Sequence, residues 1–326
     1  MAVLNSSHSK TLLHRRFSLS KQNQTVKIKT KREGLNLRAK NYLIGYSFIL
    51  PNFLGFAIFI LFPVVYTFVL SFMKWDGFNA MKFIGFDNFE GIFGDRVFNA
   101  SFWKTILYVF FTVLLTLIAS LTLAIALNTK IVGRDGFRAA IFFPYVASMV
   151  AIGAVWKQLF EKNFGPINQM LRAFGVENPP GWFASSKWAI WGIIIVSIWK
   201  FMGYYMLIYL AGLQDIPTQL YEAATIDGAS AWQKFRKITL PMLTPSTFFV
   251  FIMLTINSFK SFDLVYVLTQ GGPGTSTTLL VNYIYNQSFT YWNYGYASAA
   301  SMILFIIVLA VTIIQFRGEK KFTDYL

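Results

Sequence analysis

Six long apolar runs, at about 43–72, 105–128, 139–159, 188–210, 246–268 and 297–316, constrain this chain more than any other feature. A helix needs roughly 20 apolar residues to cross about 30 Å of hydrocarbon. Inside hydrocarbon the backbone must satisfy its own hydrogen bonds, which a helix does within a single segment. The runs therefore predict an all-α integral membrane protein with six transmembrane helices. Composition agrees: only 13% of residues are charged and 55% are hydrophobic, where a soluble domain carries about a quarter charged residues. Pro51 and Pro63 fall inside the first run, so this helix is expected to kink or to begin as an interfacial segment.

The net charge of +15 invites a nucleic-acid reading, but the positions of the charges point to a membrane. Ten of the 29 Lys and Arg residues precede the first apolar run, where they act as a cytoplasmic orientation signal. With the N-terminus inside, the leader 1–41, segment 129–138, loop 211–245 and tail 317–326 are cytoplasmic. These hold nineteen Lys and Arg, against eight in the outer loops and at the outer span ends; the opposite orientation would invert that ratio. The leader is too long and polar for a cleavable signal peptide. Its Ser-, Lys- and Gln-rich composition predicts disorder or attachment to the inner membrane face. There is no cysteine, and both histidines, His8 and His14, lie in the leader. Disulfides, thiol chemistry, His-based catalysis and a His-ligated metal are thereby excluded.

One cytoplasmic stretch, "EAATIDGASAWQKFRKITLP" (222–241), is polar and amphipathic between two apolar runs. Within loop 215–243 the residues predict two short helices. Asp215 is the expected N-cap of the first, Pro217 belongs in its first turn, and Gly228 stops it after Asp227. Ser230 caps the second helix, and Gln233 three positions on completes a capping box. Lys234, Arg236 and Lys237 fall towards its C-terminal end, where the helix dipole favours cations, and Pro241 is expected to block continuation. On the first helix Leu220, Ala223, Ala224 and Asp227 share a face; on the second, Trp232 and Phe235 project beside the cations. These features fit a loop packed on its own spans or a loop that docks on a partner, and amphipathicity alone leaves both open.

The stretch resembles the EAA loop of bacterial binding-protein-dependent ABC importer permeases. The matching positions are Glu222, Ala223, Ala224, Asp227, Gly228, Ala229, Phe235, Ile238, Leu240 and Pro241. "LFPVVYTFVLSFMKWDG" (61–77), "FGPINQMLRAFG" (164–175) and "FDLVYVLTQGGPGTSTTLLVNYIYNQSF" (262–289) are similar to the carbohydrate-uptake branch, as in maltose-, glycerol-phosphate- and multiple-sugar-type permeases. The likeness runs from about residue 42 to 316, leaving the basic leader outside it. It implies a type I importer permease in the bacterial plasma (inner) membrane, working as a heterodimer with a second homologous permease subunit. It further implies two ATPase subunits, an extracytoplasmic solute-binding protein and an oligosaccharide substrate. Glu222, Ala223, Ala224, Asp227, Gly228 and Ala229 would then couple to the ATPase. The chain carries no G-x-x-x-x-G-K-[ST] phosphate loop, so ATP would be bound by the partner subunit, and no cofactor or enzymatic activity is expected here.

The rival class is an ion-coupled secondary carrier without an ATPase partner. Such carriers place several carboxylates or unwound helices at the midplane, whereas Asp263 is the only acid inside a predicted span. An integral-membrane enzyme would need a nucleophile–base or metal cluster, and none is visible. Lys200 and Lys260 also fall inside spans. A central lysine costs ~2.5–3.5 kcal/mol on insertion scales, so each should face water, a partner or a counter-charge. Lys260 and Asp263 are spaced to pair, while Lys200 has no acid nearby in sequence and has the second permease subunit or a backbone carbonyl as its alternative partners. Both are candidate contacts for an anionic saccharide. Carried over by the resemblance, the sugar pocket points to Tyr204, Asn257, Ser258 and Ser261; the alternative for each is a hydrogen bond between helices. Outer loop 269–296 is uncharged and holds Tyr283, Tyr285, Tyr291, Trp292, Tyr294 and Tyr296. These fit either an aromatic belt at headgroup level or a surface for a partner or sugar rings.

Overall fold

The computed structural model describes residues 34–129 and 132–323. Most of the basic leader and the last three residues of the tail lie outside the described residues. The chain divides into two compact units, residues 1–63 and 64–326.

In the first unit, α1 (Gly34–Phe56) runs through Pro51 and leads into a π turn at Ala57–Leu61; α2 (Phe62–Leu70) begins there and lies mostly in the second unit. Pro63 has no N–H, and its ring crowds the carbonyl one turn back. Directly upstream the helix widens, with the Phe62 N–H bonded to Ala57 O. Proline thus produces a π turn inside a helix that continues from Ala39 to Leu70.

The second unit holds most of α2 and then a two-residue hairpin, β1 (Met73–Lys74) antiparallel to β2 (Lys82–Phe83). Then come α3 (Asp87–Gly94), α4 (Arg96–Leu127), α5 (Arg134–Val146), α6 (Met149–Leu159) and α7 (Pro166–Ala173). The long α8 (Ala189–Gln214) precedes the short α9 (Thr218–Ile226), α10 (Ala231–Lys234) and α11 (Leu240–Met242). The last elements are α12 (Thr244–Phe259), α13 (Asp263–Leu268), α14 (Leu280–Tyr285) and α15 (Tyr294–Thr323).

Among the described residues four helices are long and apolar enough to cross a membrane, or six if each of two bent pairs counts as one span. The third predicted span, 139–159, is not a straight helix. It bends by 100° between α5 and α6, where Ala147 and Ser148 take extended ψ values of 146° and 131°. The fifth, predicted over 246–268, ends at Phe259, and α13 is a separate short helix after a break at Lys260. The second starts at Arg96, because Asp95 accepts from the N–H groups of Val97 and Phe98 and so caps α4. The sixth continues as helix into the segment expected to be a tail.

The centre of this unit is α8, which packs along α4 and across α5. Tyr108, Ile193, Ile194, Tyr205, Met206 and Tyr209 are fully buried there. At the crossing, a Cβ on Gly203 would fall 2.0 Å from Ile141 O, so only glycine allows the two backbones this approach. A smaller core gathers Ile92, Phe98, Leu280, Tyr283 and Ala299 around α3, α14 and α15.

Candidate functional site

The helix pair at 218–242 is built largely as its residues dictate. Gly228 sits at φ 71°, in the left-handed region that glycine enters freely. Its N–H bonds to Thr225 O, and the Ala229 N–H bonds to Ala224 O at 2.9 Å, which together form a Schellman stop. The capping box is present: Gln233 N donates to Ser230 Oγ at 3.3 Å and Ser230 N to Gln233 Oε1 at 2.7 Å. Lys234 Nζ donates to Thr225 Oγ1 at 2.8 Å, tying the second helix to the first. Tyr221 and Thr239 hydroxyls lie 2.9 Å apart, fastening the pair at its base.

Three local expectations need correction. Asp215 is the C-cap of α8 and not the N-cap of α9. Pro217 precedes the first helical residue, where its fixed φ of −58° starts the turn. Pro241 does not stop the second helix; a π turn at Phe235–Thr239 absorbs it, and the chain bends by 64° only after Met242. The next proline, Pro245, occupies the first turn of α12, where a missing N–H costs nothing.

Neither α9 nor α10 buries a residue. Ile226 is 87% exposed, Trp232 66% and Leu220 41%, and Glu222, Ala223, Asp227 and Gly228 are also exposed, with Ala224 and Ala229 half-buried. A loop packed back on its own helices would cover such side chains, so the pair presents an apolar face with acidic and basic margins.

Within the membrane helices the predicted substrate residues do not form one cluster. The Tyr108 hydroxyl lies 2.9 Å from Ser197 Oγ and donates to Ser261 Oγ at 3.1 Å, so Ser261 is held in a buried link among α4, α8 and the break after α12. Ser258 is buried as well. Asn257 is exposed and donates to Tyr205 Oη at 3.3 Å. Tyr204 is half-buried and stacks on Tyr145, with centroids 4.4 Å apart and planes at 11°. Tyr204, Tyr205, Tyr145 and Asn257 therefore form one aromatic and amide patch, with Ser258 and Ser261 turned into the core.

Lys200 takes the backbone-carbonyl alternative, and Lys260 does not make the expected pair. Lys200 is 9% exposed, and its Nζ donates to Pro144 O at 3.3 Å and to Tyr145 O and Ala147 O at 3.4 Å. Its three donors meet three carbonyls, so none faces a ligand. Lys260 is exposed, and among the described residues it forms no ion pair with Asp263. Tyr108, Tyr145 and Gly203 carried no sequence motif, although a glycine in mid-span does mark a close backbone approach. An apolar groove of about 860 Å³ opens between α4, α12 and α15, lined by Phe110, Phe248, Phe251 and Gln315 among others. It holds none of the predicted substrate residues, and such walls suit acyl chains or a helix better than a sugar.

The profile of the family described as "Binding-protein-dependent transport system inner membrane component" matches residues 120–323. The chain belongs to this family. A probable ABC transporter permease of Bacillus subtilis (strain 168) is 38% identical over 290 residues, 88% of this chain and 93% of its own. The trehalose/maltose transport system permease of Thermococcus litoralis is 35% identical over 282 residues, 86% of this chain and 95% of its own. In fold, this inner membrane component is similar to a chain of a bacterial ABC transporter involved in import of the acidic polysaccharide alginate. That match has a TM-score of 0.77 at 24% identity and covers 89% of this chain and 99% of the other. The matched 120–323 region of this transport-system component contains the exposed helix pair, Tyr145, Lys200, Tyr204 and Asn257.

Proposed function

We propose that this chain is one of two membrane-spanning subunits of an ATP-driven importer that takes up an oligosaccharide delivered by an extracytoplasmic binding protein. The observation that carries the proposal is the exposed, doubly capped helix pair around Gly228 in a member of a binding-protein-dependent transport family. Glu222, Ala223, Ala224, Asp227, Gly228 and Ala229 are its coupling residues. They enter a cleft of an ATPase subunit that binds the ATP, and the rigid turn passes the motion of that subunit into α8 and α12. The chain performs no bond chemistry. Six spans result if each bent pair crosses once, with both termini cytoplasmic.

On the substrate side, Tyr204 and Asn257 contribute half of a pocket whose other half comes from a homologous second permease. A tyrosine offers a flat face to a sugar ring and a hydroxyl at its edge. The sugar reading is supported by the substrates for which relatives are named, trehalose and maltose in one case and arabinooligosaccharides in another. A preference for an acidic sugar group is assigned to Lys260 alone, because the donors of Lys200 are occupied.

The natural sequence lacks cysteine, so Ile226→Cys gives a unique attachment point for a photo-crosslinker. The expected product joins this chain to an ATPase subunit co-expressed from its operon. Adducts confined to this chain, with uptake that persists without any ATPase, would favour the ion-coupled carrier and end the proposal.

A further inference from the structure

The break in the third span leaves a specific electrostatic problem, and Lys200 meets it. At the C-terminal end of α5 the last carbonyls lose their donors four residues on, because Ala147 and Ser148 are extended and the chain turns by 100°. Pro144 O, Tyr145 O and Ala147 O all receive the Lys200 ammonium instead. A cation at a helix C-terminus also meets the negative end of the dipole. One turn further along α8, Tyr204 stacks on the ring of the same Tyr145. Between them, Gly203 brings α8 against the backbone of Ile141 and Phe142. Thus α8 grips the end of α5 by charge, by ring and by backbone contact within five residues.

We infer that Lys200 is a positioning residue that locks the bent third span to α8, so that α5, α6 and α8 move as one body during transport. The inference rests on the proposed importer only for that last clause. From Lys200 to the end of α8 at Gln214 is about 21 Å of continuous helix, and the exposed helix pair follows directly. A displacement of the pair is then passed through Asp215–Pro217 into this helix and along it to the bend. Lys200 does this without touching substrate.

The test uses the complete complex in lipid nanodiscs, with spin labels on Phe137→Cys and Val155→Cys, exposed sites on α5 and α6. In the parent the distance distribution between them is expected to be narrow. Lys200→Met should broaden it, and Lys200→Arg, which keeps a cation with several donors, should restore it. In uptake assays Lys200→Met should lower the maximal rate on the order of tenfold and leave the half-saturation concentration unchanged for acidic and neutral sugars alike. Should Lys200→Met not assemble, Lys200→Gln, shorter and uncharged, is read the same way. An unaltered narrow distribution without the ammonium would overturn the inference, as would a half-saturation shift confined to acidic sugars, which would return Lys200 to the binding site. If the parent complex takes up no saccharide, the importer proposal fails instead, and the spin-label distances still decide the lysine.

Discussion

Lys234 reaches back across the Gly228 turn and donates to Thr225 Oγ1 at 2.8 Å, closing a loop between two helices that bury no residue of their own. An exposed element normally frays, since few buried contacts hold it. Here order comes from local bonds: the Schellman stop, the capping box and this lysine. That is the construction a rigid coupling element needs, because a floppy tether would dissipate the movement it is meant to pass on. Gly228→Ala tests the turn. Nothing lies within 4 Å of a Cβ at that position, so the cost is backbone strain alone, about 1–2 kcal/mol. Tryptic cleavage after Lys234 and Arg236 should accelerate roughly tenfold, and Gly228→Asn should fall between the two, because asparagine tolerates the left-handed region.

Ser230→Ala removes one half of the capping box while leaving the other residue in place. Loss of such a cap costs about 1 kcal/mol. Amide exchange at residues 231–234 should therefore quicken by about fivefold, with α8 unaffected. Equal exchange in the two proteins would mean that docking or packing, and not the cap, orders this helix.

Much of this loop was legible from the residues because capping chemistry is local: a serine, a glutamine three positions on and a glycine specify bonds within one turn. The same locality misled at Asp215, which is as good a neighbour to the end of α8 as to the start of α9. The 100° bend is not legible because run 139–159 is apolar on both sides of it, and hydropathy counts residues without seeing direction. Its local marks are Pro144, one turn before the break, and Ser148 at the break. The cost of Lys200 is legible, and a backbone carbonyl is among its expected partners; which helix supplies the carbonyls is not, because no side-chain pattern announces them. The hydroxyl of Tyr108 is similarly silent, since Ser197 and Ser261 lie far away in sequence.

Tyr108→Phe probes that buried link. The ring is retained, so packing is preserved, but hydrogen bonds to Ser197 and Ser261 are lost. Each bond is worth about 1 kcal/mol; Ser197 keeps its bond to Ile193 O at 2.8 Å, while the Ser261 hydroxyl loses the donor that Tyr108 supplied. The thermal midpoint of the purified complex should fall by a few degrees. An unchanged midpoint would show that the bond to Ser261 contributes nothing beyond what Ser197 already gains from Ile193 O.

The β1–β2 hairpin offers a pH prediction. Asp76 Oδ1 accepts from Asn79 N at 2.9 Å and Phe78 N at 3.0 Å, and these bonds, that to Asn79 foremost, lower its pKa from 3.8 to about 2. A depressed carboxylate pKa stabilises the folded turn above the unfolded value and loses that contribution as pH falls through the folded one. The turn should hold its geometry from neutrality down to about pH 4 and loosen between 4 and 2. Carboxyl NMR of Asp76 should give a midpoint near 2. A midpoint at 3.8 would mean that the turn is open in solution.

Gly203 makes the most severe prediction. In Gly203→Ala the added methyl carbon would sit 2.0 Å from Ile141 O, 2.6 Å from Ile141 C and 2.9 Å from Phe142 Cα. All three are backbone atoms and cannot rotate aside, so α5 must move off α8 as a body. Overpacking a core costs about 1–3 kcal/mol even where side chains can adjust, and here none of the colliding atoms belongs to one. Separation also pulls Pro144, Tyr145 and Ala147 away from the Lys200 ammonium, which stands one turn from the clash. The substitution should therefore resemble Lys200→Met in the spin-label distances while lowering the yield of assembled complex more strongly. The double variant should be little worse than Gly203→Ala alone, because the helices are already apart. Additive losses in the double variant would show that glycine and lysine act on separate joints.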